Sequence, residues 1–192
     1  TESQLELARK QGRDILLHLP MEPTDNKWDP GVGALTVSMD RETIHRTVLH
    51  DLAAIPDAIG INNHMGSRFT EDEAAMRNFL GLLKKRNLFF LDSLTSSKSV
   101  GLKVAHKLGV LTMRRNVFLD NQQDKDIIKK QLDALAFLAK KQGIAIGIAH
   151  PHQATLAALR DYLQHHDKNV TLVSIRSLIK SIKTKDKSNR RR

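Results

Sequence analysis

The sequence predicts an α/β fold built around a parallel sheet, and three observations support this class. Short β-like runs alternate with amphipathic helical stretches along the whole chain. Several of these runs are apolar throughout, as in strands that are covered by helices on both faces. Repeated β–α units imply right-handed crossovers, so the expected architecture is an open α/β sheet or a barrel.

The first elements follow from local signals. Strands are predicted over 15–19 and 58–61, and a helix over 40–54 lies between them. Pro20 ends the first strand, and the loop that follows it contains Asp, Asn, Pro and two Gly. Asp40 is expected to cap the helix, because its side chain can accept an unpaired amide proton of the first turn.

The middle of the chain repeats this pattern. Thr70-Glu71-Asp72-Glu73 is interpreted as a capping box that opens a helix reaching residue 87. A fully apolar strand is predicted over 88–91, followed by a helix over 97–108 with Gly109 at its end. A fourth strand is predicted over 110–113.

The last part contains the longest predicted helix, over 124–142, with Gly143 after it. A strand over 144–149 follows, and the remaining predicted elements are a helix over 153–166, a strand over 170–173 and a helix over 174–182. Six strands are therefore expected.

Composition limits the possibilities further. A chain of 192 residues with 40% apolar content can bury one real core. The absence of cysteine excludes disulfides, thiolate metal sites and a cysteine nucleophile. No apolar run reaches the roughly 18 residues of a transmembrane segment, and residues 1–10 lack the apolar core of an export signal. Much of the net charge of +10 lies in residues 180–192, a basic tail that we expect to be disordered and solvated.

Polar side chains collect directly after the predicted strands, whereas the opposite loops carry only Lys, Arg, Asn and Gln. The carboxyl ends of parallel strands meet at one edge of a sheet, where active sites lie. The residues in these positions are His18, Glu22, Asn63, His64, Ser67, Asp92, Ser93, Arg115, Asp120, His150 and His152. This asymmetry is the strongest functional signal in the sequence.

Three imidazoles and a carboxylate at these strand ends suit a divalent metal with nitrogen and oxygen ligands, such as zinc. We predict His64, Asp92 and His152 as metal ligands, with His150 as an alternative to His152. A metal there would lower the pKa of bound water to about 7 and polarise a carbonyl group. The competing interpretation is that each histidine is a structural hydrogen-bonding group.

Substrate contacts are predicted from Asn63, Ser67, Ser93 and Arg115. Ser93 is equally interpretable as a helix cap. Asp120 is interpretable as a helix cap or as the partner of Arg115. A serine hydrolase is disfavoured because no Gly-x-Ser-x-Gly turn occurs, and no glycine-rich phosphate loop occurs either.

An ordered set of motifs resembles the divergent polysaccharide deacetylases, relatives of the chitooligosaccharide and peptidoglycan deacetylases. The segments are HLPMEP at 18–23, GINNHMGSRFT at 60–70, FFLDSLTSS at 89–97, RNVFLDN at 115–121 and GIAIGIAHPH at 143–152. The resemblance covers residues 1–179. It implies a distorted seven-stranded (β/α) barrel, a divalent metal, and hydrolysis of N-acetyl or O-acetyl groups on a polysaccharide.

The resemblance also implies roles for individual residues. His150 matches the general acid of the family, and Asp120 is the nearest match to the carboxylate that orients it. His18 and Glu22 match the spacing of the two family metal-binding histidines, with Glu in place of the second. The family opens with a strand ending in Asp-Asp, so we expect one or two strands of the barrel to be absent from this chain. His64, Asp92, Asp120 and His150 are expected to share one pocket.

Two alternatives remain. The lack of the Asp-Asp segment and the presence of Glu22 favour an inactive glycan- or cell-envelope-binding module on the same fold. A nucleic-acid binder driven by the basic tail would show strong salt dependence, but one Trp and one Tyr offer few stacking surfaces. We therefore expect a glycan partner and no specific nucleic-acid partner. The resemblance implies a periplasmic or secreted location.

Overall fold

A computed structural model describes residues 2–165 and 168–189, with side chains as far as residue 182. The chain divides into two compact units. The first unit consists of Thr1–Met113 with Val173–Arg192, and the second unit consists of Arg114–Leu172.

Helices and strands alternate along most of the described chain. In chain order the elements are α1 (Glu2–Lys10), β1 (Leu16–Met21), α2 (Arg41–Ala54), β2 (Gly60–Met65), α3 (Ser67–Glu71), α4 (Glu73–Arg86), β3 (Phe89–Asp92), α5 (Gly101–Leu108), β4 (Thr112–Arg114), β5 (Val117–Phe118), α6 (Lys125–Gln142), β6 (Gly147–Ile148), α7 (Gln153–His165) and α8 (Ile175–Asn189).

The first unit is organised by a four-stranded sheet of order β1-β2-β3-β4. Strands β1 and β2 pair in parallel, as do β2 and β3. Leu19, Ile61 and Phe90, one from each of these strands, are fully buried in the core that the neighbouring helices cover. The α/β class with a parallel sheet is therefore confirmed, whereas a barrel of seven strands is not confirmed.

The second unit has a small parallel sheet, in which β5 pairs with β6. Helices α6 and α7 pack together beside it, and Ile128 and Ala158 are fully buried in their shared core. The predicted strand over 144–149 is reduced to the two residues of β6. Strand β5 was not predicted, because two residues give no readable periodicity.

Several predicted helix boundaries are confirmed by their caps. Asp40 accepts a hydrogen bond from Thr43 N at 2.8 Å, so it is the N-cap of α2. Gly109 and Gly143 end α5 and α6 in the left-handed conformation, with φ of 68° and 83°.

The predicted capping box at Thr70 is wrong. A separate short helix, α3, occupies Ser67–Glu71, and α4 begins only at Glu73. Asp72 caps α4 by accepting from Ala75 N at 2.7 Å. The Thr70 hydroxyl donates instead to the Gly66 carbonyl one turn back, at 2.8 Å. Asp and Thr are both favoured N-cap residues, so the sequence alone did not show which of the two caps the helix.

Two predictions near the carboxyl terminus are also wrong. Residues 171–174 have no regular secondary structure, and Leu172 is 77% exposed, so the predicted strand over 170–173 does not form. Helix α8 continues to Asn189, where the sequence predicted a disordered tail from residue 180. The last part of that predicted tail, residues 190–192, lies outside the described residues.

Among the described residues, no helix combines the length and the apolar content that crossing a membrane requires.

Candidate functional site

Neighbouring strands bring His18 and His64 side by side. In the parallel register, His18 lies opposite Asn62 and Pro20 lies opposite His64. Since alternate residues of a strand share a face, His18, Asn62 and His64 point to the same side of the sheet. His18 Nδ1 lies 2.8 Å from Asn62 Oδ1, and His18 Nε2 lies 3.1 Å from His64 Nδ1.

Asn62 fixes the tautomer of His18. Its Nδ2 donates to Leu91 O at 2.8 Å and to Ser93 Oγ at 2.7 Å, and the residue is 7% exposed. The side-chain oxygen therefore faces His18 and must accept the Nδ1 proton. In the neutral His18 ring, Nε2 then carries the lone pair, which points to His64.

The turn after β2 holds His64 in place through unusual backbone. Met65 has φ 52° and Gly66 has φ 88°. A Cβ on Gly66 would lie 2.8 Å from Met21 Cβ, so only glycine fits there without a shift. The Met65 carbonyl accepts from Asn63 Nδ2 at 2.7 Å and from Thr95 Oγ1 at 2.9 Å. These two hydrogen bonds stabilise a left-handed residue beside a candidate ligand.

The His18–His64 pair fits a zinc-type ion. Imidazole nitrogens bind zinc at about 2.0–2.1 Å, so two of them in a tetrahedral site lie roughly 3.4 Å apart. The two ring nitrogens are 3.1 Å apart in the structure. This pair would supply two of the three protein ligands that catalytic zinc sites usually have.

The two predicted carboxylate ligands of the first unit are held by other partners. Asp92 is 1% exposed, and its two oxygens accept from Leu94 N at 2.8 Å and Ser99 Oγ at 2.6 Å. Glu22 accepts from Val37 N at 2.7 Å and pairs with Arg68 at 3.3 Å. These contacts favour a role for both carboxylates in fixing the loops after β1 and β3.

The predicted substrate-binding residues of the first unit are similarly engaged. Asn63 and Ser93 are buried at 1% and 3% exposure, and Ser93 N donates to Asn63 Oδ1 at 2.7 Å. Ser67 Oγ accepts from Thr24 N at 2.8 Å, which ties the loop after β1 to the end of β2. Substrate contact by these residues stays a prediction. In the second unit, the Arg115 guanidinium lies 3.8 Å from the centre of the Phe118 ring.

The second unit holds an aspartate–histidine pair. Asp120 Oδ1 lies 3.1 Å from His150 Nδ1, and Oδ2 accepts from His150 N at 2.5 Å and from Thr155 Oγ1 at 3.0 Å. Asp124 caps α6 by accepting from Ile127 N at 2.9 Å, so the alternative of Asp120 as that cap is wrong. The family resemblance implied that Asp120 orients His150, and the structure places the two side chains in contact.

The charge of Asp120 determines the tautomer of His150. Burial alone would raise the pKa of Asp120, but hydrogen bonds from the His150 backbone and ring and from Thr155 outweigh it and lower the pKa. The carboxylate is therefore ionised at neutral pH and accepts the Nδ1 proton of His150. His150 Nε2 lies on the opposite side of the ring from Asp120, on a side chain that is 55% exposed.

His152 adds a third possible ligand to this pair. One ligand atom from each of Asp120, His150 and His152 lies within 4.8 Å of the others, a grouping that could hold a metal. The His150 and His152 rings lie 5.6 Å apart. A metal bound to Asp120 and His150 Nδ1 would displace the proton between them. These residues could therefore bind a metal or act as an acid–base pair, but not both at once.

His64 and Asp92 belong to the first unit, whereas Asp120 and His150 belong to the second. One pocket shared by all four stays a prediction. Neither Asn62 nor Thr155 was assigned a role from the sequence. Asn62 and His64 are two positions apart on a strand, which places both on one face of the sheet. This spacing could have identified Asn62 as a neighbour of the site from the sequence. No comparable signal links Thr155 to Asp120.

Replacing Asn62 with leucine should destabilise the chain by roughly 1–3 kcal/mol, because His18 Nδ1 and Ser93 Oγ lose a buried partner. Urea unfolding measures the loss, and nitrogen-15 NMR of the histidine rings should show a mixture of His18 tautomers. Asn26→Leu, on an exposed loop position, is the matched control and should change neither. A single Nδ1-protonated His18 in the Asn62 variant would contradict the assignment.

A model of the divergent polysaccharide deacetylases matches residues 1–179. The chain belongs to that family. Within the divergent polysaccharide deacetylases, it is 35% identical over 172 residues to the uncharacterized protein YibQ of Escherichia coli K12, covering 90% of this chain and 54% of YibQ. It is 38% identical over 172 residues to an uncharacterized protein of Haemophilus influenzae, covering 89% of this chain and 61% of the relative. The chain thus spans little more than half the length of these curated relatives.

A crystal structure supports the same fold for this member of the family. The uncharacterized protein ATU2773 of Agrobacterium tumefaciens C58 superimposes with a TM-score of 0.87 at 26% identity. The match covers 91% of this chain and 72% of that one.

Proposed function

We propose that this chain carries the metal-binding and proton-transfer groups of a carbohydrate deacetylase that hydrolyses N-acetyl or O-acetyl groups on a polysaccharide. Membership of the deacetylase family supports the substrate class. The observation that carries the proposal is the pair of His18 and His64 nitrogens, 3.1 Å apart, with Asn62 fixing the tautomer. Two imidazole rings with facing nitrogens suit a divalent metal, because histidine binds metals through either ring nitrogen while the other nitrogen is hydrogen-bonded.

In this proposal His18 and His64 hold the metal. Asn62 is the outer partner that a metal-binding histidine normally has, since it accepts the ring proton on the far side. A divalent cation there supplies a Lewis acid that polarises the acetyl carbonyl and makes a nearby water more acidic. The chain's own contribution is to keep His18 Nε2 without a proton, whereas His64 Nδ1, which donates to it in the structure, would release its proton when a metal binds.

The proton-transfer group is His150, oriented by Asp120. Hydrolysis of an N-acetyl group adds water to the carbonyl carbon and breaks the C–N bond, so the departing amine needs a proton. Protonated His150 can give that proton from Nε2 while Asp120 keeps the Nδ1 proton and stabilises the charged ring. The products are acetate and a free amino sugar.

The test is acetate release from tetra-N-acetylchitotetraose by the wild-type chain with added zinc. Release should stop with EDTA and return with excess zinc. His152→Ala separates the two metal arrangements. It should keep wild-type zinc affinity in calorimetry if His18 and His64 are the ligands, and should lose affinity if Asp120, His150 and His152 hold the metal.

A glycan-binding module without catalysis is the second candidate. The engagement of Glu22 with Arg68 and Val37 favours it, because Glu22 stands where the family has a metal-binding histidine. Saturable binding of chitotetraose, with no acetate released from it or from an O-acetylated xylan oligosaccharide at any zinc concentration, would select this candidate.

A further inference from the structure

The loop between β1 and α2 presents a large aromatic side chain to solvent. Trp28, the chain's one tryptophan, is 63% exposed, and Val32 on the same loop is fully exposed. Trp side chains are enriched at binding surfaces, where the apolar ring contacts a partner and the N–H stays available, so an exposed Trp on an ordered loop is a candidate ligand contact.

The loop is held in a defined conformation around Trp28. Trp28 N donates to Asp25 O at 3.1 Å, Lys27 N donates to Asp25 Oδ1 at 3.0 Å, and Gly31 N donates to Asp29 Oδ1 at 2.8 Å. These turn contacts order the loop before any ligand arrives, which lowers the entropic cost of binding.

The loop is tied to β1 near one end and to α3, which follows β2, near the other. Leu35 N donates to Pro20 O at 3.0 Å, and Glu22 N donates to Leu35 O at 2.8 Å. Thr24 N donates to Ser67 Oγ at 2.8 Å, just beyond His64 in the chain. Trp28 lies four positions after Thr24, so their Cα atoms are at most about 14 Å apart.

We propose that Trp28 is a sugar-stacking residue that binds one pyranose ring of an acetylated glycan chain whose neighbouring unit occupies the His18–His64 site. This inference rests on the proposed function. The indole face matches the apolar C–H face of a pyranose, and its N–H can donate to a hydroxyl or acetyl oxygen. The residue would therefore favour oligomers over single sugars.

The surroundings of Trp28 fit a sugar better than larger partners. Asp25, Lys27 and Asp29 neighbour Trp28 in the sequence and are exposed, so this stretch of the loop offers far less apolar area than the roughly 1,000 Å² that a stable protein interface buries. Two acids against one base in this stretch also disfavour a nucleic acid or an anionic membrane.

Trp28 reports on its own binding, because it supplies all the tryptophan fluorescence of the chain. Titration of the wild-type chain with tetra-N-acetylchitotetraose should give a saturable change in emission, and N-acetylglucosamine should give none over the same range. In calorimetry, Trp28→Ala should weaken chitotetraose binding about tenfold or more. Trp28→Phe should retain most of the affinity, and Val32→Ser, the matched control on the same loop, should retain all of it.

Three results would overturn the inference: wild-type affinity in Trp28→Ala, unchanged emission while calorimetry shows binding, or no binding of chitotetraose or of an O-acetylated xylan oligosaccharide. The outcomes separate this inference from the deacetylase proposal. Unchanged acetate release by Trp28→Ala at subsaturating chitotetraose rejects the stacking role alone. Trp28-dependent binding without acetate release rejects the deacetylase and keeps the stacking role.

Discussion

Replacing Asp120 with asparagine is expected to lower kcat for acetate release from chitotetraose about 10²- to 10⁴-fold. The ionised carboxylate holds the Nδ1 proton of His150 and balances the charge of the protonated ring. An amide keeps the shape but removes that charge, and it can turn its NH₂ group toward His150. KM and zinc affinity should change little, because Asp120 orients the proton donor without binding the substrate.

The same variant should change the pH dependence of stability. The pKa of Asp120 is lowered from the ordinary value of 3.8, so its carboxylate stabilises the folded chain above that pH. This stabilisation is lost as the pH falls through the lowered pKa. The difference in unfolding free energy between wild type and Asp120→Asn should therefore be largest near neutral pH and shrink below about pH 4.

Asp133→Asn on the exposed face of α6 is the matched control, and should keep wild-type kcat and stability. A large loss of zinc affinity in Asp120→Asn would show instead that Asp120 is a metal ligand. Wild-type kcat would exclude the acid–base pair altogether.

Replacing His64 with alanine is expected to weaken zinc binding more than about tenfold and to reduce acetate release at least about a hundredfold. The change removes one of two facing nitrogens and leaves His18 Nε2 without its neighbour at 3.1 Å. Calorimetry with zinc measures the first effect, and acetate release from chitotetraose measures the second.

His106→Ala, on the exposed face of α5, removes a histidine that lies outside the candidate site and should alter neither quantity. Circular dichroism and thermal unfolding confirm that both variants are folded. Wild-type zinc affinity in a folded His64→Ala chain would refute the role of His64 as a ligand, even if activity were lost.

The sequence predicted the α/β class and the family because these depend on repeated, local patterns. Asp40, Gly109 and Gly143 mark helix ends through their own backbone preferences, and the structure confirms all three. The prediction of a strand over 170–173 was wrong, because apolar residues do not form a strand without a neighbouring strand to pair with.

The candidate site was harder to predict, because competition between distant partners decides it. Asp92 lies at a strand end as the sequence predicted, and the following loop places Ser99 Oγ on its carboxylate, a contact that the sequence did not predict. Glu22 forms an ion pair with Arg68, which is distant from it in the sequence. Strand-end position identifies polar residues near a site, whereas the remaining hydrogen-bonding capacity of each side chain is known only after folding.

The amide of Asn62 also determines which way protons can travel at the first-unit histidines. An amide oxygen accepts a hydrogen bond but does not take up and release protons near neutral pH, and reversing the amide would break two buried bonds, to Leu91 O and Ser93 Oγ. Protons therefore cannot be transferred through Nδ1 of His18. Any proton gained or lost by this pair must pass through the remaining ring nitrogens, His18 Nε2 and the two nitrogens of His64.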